Sequence, residues 1–183
     1  MQRVVSLFLP TWSTDRVRRK AGDAAPPVEA PLVLVGREGN RRVVMATDAA
    51  ALAAGIRPGM PATKAQVLVP GLVTQNAHPA ADAEALERLA VWTLQRFAPI
   101  AAADPPDGIV IDTTGAAHLH GGEQTMLETL IGRLAMSGVA ARAAIADNWG
   151  AAHALARFAS EPATVAARGH GTAPLMALPL EAL

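Results

Sequence analysis

The chain has 183 residues, 51% of them hydrophobic, with a formal net charge of zero and no cysteine. That is enough for one domain, or one domain with an insertion, and for a real core. Balanced charge confines any grip on nucleic acid to local patches, and the lack of cysteine excludes a disulfide scaffold, a thiolate metal site and a cysteine nucleophile. Alanine accounts for 41 residues, and arginine outnumbers lysine 14 to 2. That bias looks like base composition and dilutes the information in each alanine. No run approaches the roughly 20 apolar residues of a membrane span. No small-residue cleavage site follows the short N-terminal apolar run, so the expected location is cytoplasmic.

Val4-Val5-Ser6-Leu7-Phe8-Leu9 predicts a buried strand over 4–9, stopped by Pro10. Thr11 or Ser13 is placed to cap a short helix. An Ala/Pro/Gly loop over 21–31 leads to a strand at 31–35. Gly36-Arg37-Glu38-Gly39-Asn40 has hairpin-turn chemistry, and 42–46 is the returning strand. Thr47-Asp48 caps an alanine-rich helix that stops at Gly55. Thr63 caps another helix to about Leu68, and Leu72-Val73-Thr74 is a brief strand.

The second half is more regular. Leu86, Leu89, Ala90, Thr93 and Phe97 share one helical face, which predicts a helix over 81–97. Strands at 100–103 and 108–112 flank the turn Asp104-Pro105-Pro106-Asp107. A helix over 122–136 carries Met126, Leu127, Leu130, Ile131 and Leu134 on one side. A strand follows at 139–146. Asp147 or Asn148 caps a last helix to Phe158. With the middle set aside, the order is β-α-β-β-α-β, the split pattern of an α+β, ferredoxin-like fold. An insertion follows its first strand.

Four stretches, Val4–Trp12, Val43–Gly59, Asp107–Thr114 and Ile145–Trp149, together resemble the Y-family translesion DNA polymerases. The run Asp112-Thr113-Thr114-Gly115-Ala116-Ala117-His118-Leu119-His120-Gly121-Gly122-Glu123 is similar to that of the ImuB proteins, polymerase-like members of the bacterial mutagenesis cassette. That run is long and outweighs any single residue. The resemblance implies a palm from 1–15 and 79–167, inserted fingers at 16–78, and 168–183 as the start of a thumb, cut short.

In the family, a carboxylate at the end of the first strand and an Asp-Glu pair opening the central strand hold two divalent metals for phosphoryl transfer. The matching positions here are Leu9 and Asp107-Gly108, so one of three ligands remains. A later family Asp matches Asp112, whose expected role is structural. The family grips the triphosphate with a fingers Tyr, an Arg three residues on, and a Lys near the end of the palm. Here those positions are Ala49, Leu52 and Trp149, which offer no charge-assisted contact to phosphate. One expectation is that Trp149 fills the vacated pocket.

The resemblance thus implies a non-catalytic adapter with no metal and no cofactor. Such proteins recruit an error-prone replicative-type polymerase, the sliding clamp and a RecA-like partner, ImuA, through regions largely beyond this stretch. The competing reading is a divergent but active metal-dependent polymerase using Asp104, Asp107 and Asp112. A nucleotide-sensing module without chemistry is a third.

Other features have plainer readings beside the functional ones. His118-x-His120 has the spacing of two metal ligands on a strand, against a structural or surface role. Asp104 and Asp107 are a residual metal site or a solvated turn. Arg37, Arg41 and Arg42 surround a hairpin tip and are the favoured DNA-phosphate contact, against an ordinary charged surface; DNA binding by this stretch alone is expected to be weak. Arg16, Arg18, Arg19 and Lys20 form a second basic cluster, spread over several helix faces. Gln124-Thr125-Met126-Leu127 is faintly similar to a clamp-binding peptide, but its apolar pair reads as core.

Overall fold

The chain order is β1 (Val4–Phe8), α1 (Trp12–Ala21), β2 (Leu32–Glu38), β3 (Arg41–Thr47), α2 (Ala49–Ala53), α3 (Ala62–Leu68) and β4 (Val73–Asn76). It continues with α4 (Pro79–Arg96), β5 (Ile100–Asp104), β6 (Gly108–Asp112), α5 (Glu123–Met136), β7 (Arg142–Ala146), α6 (Trp149–Phe158) and β8 (Ala163–Val165). These elements come from a computed structural model that describes residues 2–169, 175, 176, 178 and 179. The chain forms two units: Met1–Pro10 with Ala83–Leu183, and Thr11–Asp82. The thumb expected over 168–183 rests mostly on 170–174, 177 and 180–183, which lie outside the described residues. Among the described residues, no helix is long and apolar enough to cross a membrane.

The split unit is a five-stranded sheet in the order β5-β6-β1-β7-β8. The first four strands are antiparallel neighbours in the ferredoxin-like order. Strand β8, absent from the sequence reading, adds in parallel to β7. Strand β1 is central. It pairs Val4 with Asp112 and Phe8 with Gly108 on one side, and Val4 with Ala146 and Phe8 with Arg142 on the other. Alternation then sends Val5, Leu7, Ile109, Ile111 and Ile145 to one face, all essentially buried. Leu86 of α4 and Met126, Leu127, Leu130 and Leu134 of α5 supply buried apolar surface to this unit. The opposite face presents Ala144 and Ala146, which pack with Ala151, Ala152, Leu155 and Ala156 of α6 and with Phe8. Small side chains on both partners let α6 lie close to the sheet. Asn148 caps that helix by accepting from the Ala151 amide at 2.9 Å, so of the two expected caps it is Asn148 that serves.

The inserted unit has the sheet order β3-β2-β4, with β2 and β4 parallel. Strand β2 extends through Gly36 to Glu38, so the hairpin turn is Gly39-Asn40 alone and not the five residues expected. Gly39 has φ +59°, the left-handed value that the first position of a type II′ turn requires. A register shift between Leu34 and Val35 leaves Met45 as an extra residue on β3. A Cβ on Gly36 would stand 2.7 Å from Met45 Cγ, which is why a glycine occupies that strand position. Val33, Val35 and Val44 pack on Ala51, Ile56, Ala62 and Ala65 of the α2–α3 region, while Leu32 and Leu34 pack on Val17 of α1. Trp12 is buried, and its indole N–H donates to the Asp82 carbonyl at 3.0 Å.

One end of β1 is fastened by charge. Arg3 is 2% exposed and donates to Glu123 at 2.6 and 2.9 Å, to Asp147 at 2.9 Å and to the Ala166 carbonyl at 2.9 Å. One guanidinium thereby joins the start of β1, the first turn of α5, the end of β7 and the segment after β8. Burial works against the Glu123 carboxylate, but hydrogen bonds from Arg3 and Arg168 outweigh it and hold its pKa below the ordinary value. The Gly169 amide and then Arg3 lower that of Asp147. Breaking a buried pair leaves an uncompensated charge, so Arg3→Met is expected to cost about 3–5 kcal/mol in a urea melt. Because both carboxylates titrate low in the fold, their contribution is complete above the ordinary carboxylate range. It is lost as pH falls through that range and below it. Arg3→Met should reduce that acid sensitivity, chiefly the part due to Glu123, because the Gly169 amide still holds Asp147 low.

Candidate functional site

The C-terminal end of β1 and the turn before β6 bring together Leu9, Asp107 and Gly108. Leu9 follows the last residue of β1, and its amide donates to the Asp107 carbonyl at 2.8 Å. Its side chain is fully buried, with 0% exposure. An apolar group there offers no ligand and belongs to the core. Gly108 pairs with Phe8 and with Asp104. A Cβ on it would lie 3.1 Å from the Asp104 carbonyl, 3.3 Å from Asp104 Oδ2 and 3.3 Å from the Leu7 carbonyl. Two of those atoms are backbone, so a side chain there is tight and requires the neighbouring strands to give by a few tenths of an ångström.

Asp107 keeps its carboxylate, and that group is taken. Arg157 of α6 donates from Nη2 to Asp107 Oδ1 at 2.9 Å. The same guanidinium sits 4.5 Å from the ring centroid of Phe8. Its side chain is 16% exposed, against 34% for Asp107. One turn earlier on the same helix face lies His153, and one turn before that Trp149. Burial lowers the His153 pKa and the charge of Arg157 lowers it further, while Asp104 and Asp107 pull it upward. Those four groups therefore share one electrostatic neighbourhood. Trp149 does not fill a pocket: it is 46% exposed and packs on His153, with ring centroids 4.8 Å apart.

The two fingers positions lie on the short helix α2. Ala49 is exposed and Leu52 half-buried. Asp48 organises this region. Its carboxylate accepts from the Ala51 amide at 2.8 Å, the Leu32 amide at 3.1 Å and Arg18 Nη2 at 2.7 Å. Arg57 donates to the Leu52 carbonyl at 2.6 Å and to the Ile56 carbonyl at 2.9 Å, so it closes the C-terminal end of α2.

The hairpin arginines divide between two faces. Arg37 stands directly opposite Arg42, whereas Arg41 stands opposite Glu38. Arg37 and Arg42 thus share a face, and Arg41 points away from them beside an acidic neighbour. With Val35, Gly36, Asn76 and Ala77, the first pair lines an open depression of about 480 Å³. All three arginines are exposed. In the other basic cluster, Arg16 is paired with Asp82 and Arg18 with Asp48, which leaves Arg19 and Lys20 on the exposed side of α1.

The remaining candidates take structural roles. His118 and His120 lie in a 3-10 turn over Ala117–His120, not on a strand, and His120 Nε2 hydrogen-bonds with the Phe97 carbonyl at 2.9 Å. Asp112 Oδ1 accepts from the Thr114 amide at 2.9 Å, and Thr114 holds its pKa low. Met126 and Leu127 are buried in α5. Among the described residues, no three His, Asp or Glu side chains are grouped as metal ligands. Sequence reasoning passed over Arg157 and His153. Their spacing from Trp149, at i+4 and i+8, was the available signal that they share a face.

Comparison with known proteins places this geometry. Residues 24–157 match the model of the impB/mucB/samB family. Two curated relatives, both Protein ImuB, from Caulobacter vibrioides strains NA1000 / CB15N and ATCC 19089 / CIP 103742 / CB 15, are each 52% identical over 129 residues. That match covers 70% of this chain and 28% of each relative, so the chain spans well under half the length of the relatives it matches. Among solved structures, the insertion ternary complex of Dbh DNA polymerase aligns with a TM-score of 0.71 and 16% identity, over 90% of this chain and 48% of that one. DinB from Sulfolobus solfataricus aligns with a TM-score of 0.68 and 18% identity, over 92% and 49%. At such identity the likeness establishes the fold, an α+β Y-family palm with inserted fingers. The chain belongs to the impB/mucB/samB family.

Proposed function

We propose that this chain is the polymerase-like part of a non-catalytic adapter in DNA damage tolerance and damage-induced mutagenesis, working in the cytoplasm. One observation carries the reading: the three palm positions that would hold metal are a fully buried Leu9, a Gly108 with no side-chain ligand in a tightly packed position, and an Asp107 already ion-paired to Arg157. Two-metal phosphoryl transfer needs several carboxylate oxygens converging on the ions. The triphosphate positions Ala49, Leu52 and Trp149 add no cation and no hydroxyl. The fold then serves to position DNA and partners. The partners proposed from the resemblance to ImuB are an error-prone replicative-type polymerase, the sliding clamp and the RecA-like ImuA, held through parts of the protein beyond this chain.

The reading as a divergent active polymerase is favoured by one feature, Asp104 Oδ2, which is buried and without a hydrogen-bond partner close to Gly108. Primer extension with Mg²⁺ or Mn²⁺ decides between the two. The adapter reading expects background incorporation only. Templated incorporation that Asp107→Ala abolishes would overturn it. Restoring the family carboxylates should not restore activity. Leu9→Asp buries an unpaired charge and is expected to cost on the order of 3 kcal/mol. Gly108→Glu forces backbone apart and should cost about 1–3 kcal/mol. Thermal melts of each variant measure both.

Contact with DNA is proposed through the hairpin, with Arg37 and Arg42 as the principal pair and Arg41 as a lesser contributor on the other face. Each lost phosphate contact reduces the slope of log affinity against log salt by about 0.7–0.9. The Arg37→Ala/Arg42→Ala double variant should therefore flatten the slope by roughly twice that, with no sequence preference. Arg41→Ala should change it less. Equal slopes for parent and double variant, measured by fluorescence anisotropy on single-stranded and primer-template DNA, would move the contact elsewhere.

A further inference from the structure

We propose that Arg157 is a built-in counter-cation of the acidic end of the palm, a guanidinium that occupies the Asp107 carboxylate and closes this end of the sheet to divalent metal. The inference rests on the non-catalytic reading above and gives it a physical agent. A missing ligand weakens a metal site, and an internal cation bound to the remaining ligand competes directly with the metal for it.

Two contacts fix Arg157 in that role. It donates to Asp107 Oδ1 at 2.9 Å. Its guanidinium lies over Phe8 at 4.5 Å, a cation–π distance that sets the orientation of the charged plane. Phe8 is the last residue of β1, immediately before Leu9, so the cation is anchored to the strand end that delivers the metal positions. The Arg157 side chain is 16% exposed and Asp107 34%, so the cation is the more desolvated partner. Displacing the guanidinium would strand a mostly buried positive charge, which opposes metal entry.

The second carboxylate completes the argument. Asp104 pairs with Gly108 across β5 and β6, and its Oδ2 occupies the space that a side chain at 108 would need. Asp104 Oδ2 and Arg157 Nη1 are both buried without a hydrogen-bond partner. One is an acceptor with negative charge and the other a donor with positive charge, in the same neighbourhood as His153. Two carboxylates facing no cation would repel one another. With Arg157 present, the cluster carries its own compensation and needs no Mg²⁺, which prefers six oxygen ligands and retains several waters. Asp104 and Asp107 supply carboxylates at this end, and Oδ1 of Asp107 is bound by Arg157.

Removing the cation should open the site. Mn²⁺ binding, followed by electron paramagnetic resonance of the free ion, should show no saturable binding to the parent chain. Arg157→Gln keeps most of the side-chain volume and removes the charge. It should gain Mn²⁺ affinity by about tenfold or more, and adding Asp107→Asn should abolish the gain. In the parent background, Asp107→Asn should lower Tm, because it leaves Arg157 unpaired. Saturable Mn²⁺ binding to the parent at the affinity of Arg157→Gln would overturn the proposal. So would a folded Arg157→Gln variant, judged by circular dichroism, with no gain. Primer extension run beside these titrations separates the two ideas: templated synthesis by the parent sinks the adapter reading, whereas an inert parent with unchanged metal binding in Arg157→Gln sinks this one alone.

Discussion

Everything proposed for the palm hangs on the double pairing of β1. Five residues are matched to β6 on one side and to β7 on the other. A slip of one residue would exchange the two faces, turning Val5 and Leu7 toward the small-residue face packed by α6 and Ser6 into the apolar layer. The register is therefore held by the burial of alternate side chains. It is held again at the start of the strand, where Arg3 meets Glu123 and Asp147. With that end fixed, the other end has little freedom. Leu9 emerges opposite Asp107, and Phe8 faces α6 at the height of Arg157. The ion pair at one end of the strand and the ion pair at the other are linked by five residues of unbroken ladder.

The same device recurs through both units: an arginine carried on one element satisfies a carboxylate on another. Arg3, Arg16, Arg18 and Arg157 all do this, with side chains between 3% and 16% exposed. Arginine suits the task because its planar fork remains charged and donates in several directions at once. The consequence reaches function. Sixteen basic residues balance sixteen acidic ones, and many of the best-placed cations are spent inside. Of the clusters that look basic in the sequence, the face shared by Arg37 and Arg42 keeps two opposed guanidinium groups in the open. A local grip on phosphate is what such a charge distribution can support.

The split βαββαβ order was legible because periodicity, turn chemistry and caps all agreed over the second half of the chain. Helix α4 and strand β6 fell within two residues of where the pattern put them. The reading of Leu9, Ala49, Leu52 and Gly108 as degenerate positions comes from the family resemblance alone and stands as part of the proposal. Other features depended on distance that a sequence does not display. Arg157 finds its carboxylate 50 residues away, across a sheet, and nothing local marks it. The extended hairpin escaped notice because Gly36 reads as a turn former. In fact its missing Cβ makes room for Met45, and the strand continues to Glu38. That change in strand length sets which arginines share a face. His118-x-His120 looked like strand alternation, yet a 3-10 turn rotates neighbours by about a third of a circle per residue.

If the proposed non-catalytic reading holds, the palm must settle its remaining carboxylates without metal. Carboxylates gathered to hold divalent ions repel one another when no ion is present, and the penalty grows as they are desolvated. The residues at this end of the sheet relieve each part of that penalty. Leu9 replaces a charge with core. Gly108 yields its space to Asp104, and Arg157 neutralises Asp107. On the proposed reading, each of these features also limits charge repulsion in a fold that holds no metal. The proposed adapter needs a palm that stays folded with nothing bound, ready to present its hairpin and its partner surfaces. In the proposed reading, Leu9, Gly108 and the Arg157–Asp107 pair serve that stability as well as the loss of metal binding. Reintroducing a single carboxylate therefore restores the repulsion before it restores a site, and stability falls without any return of metal affinity.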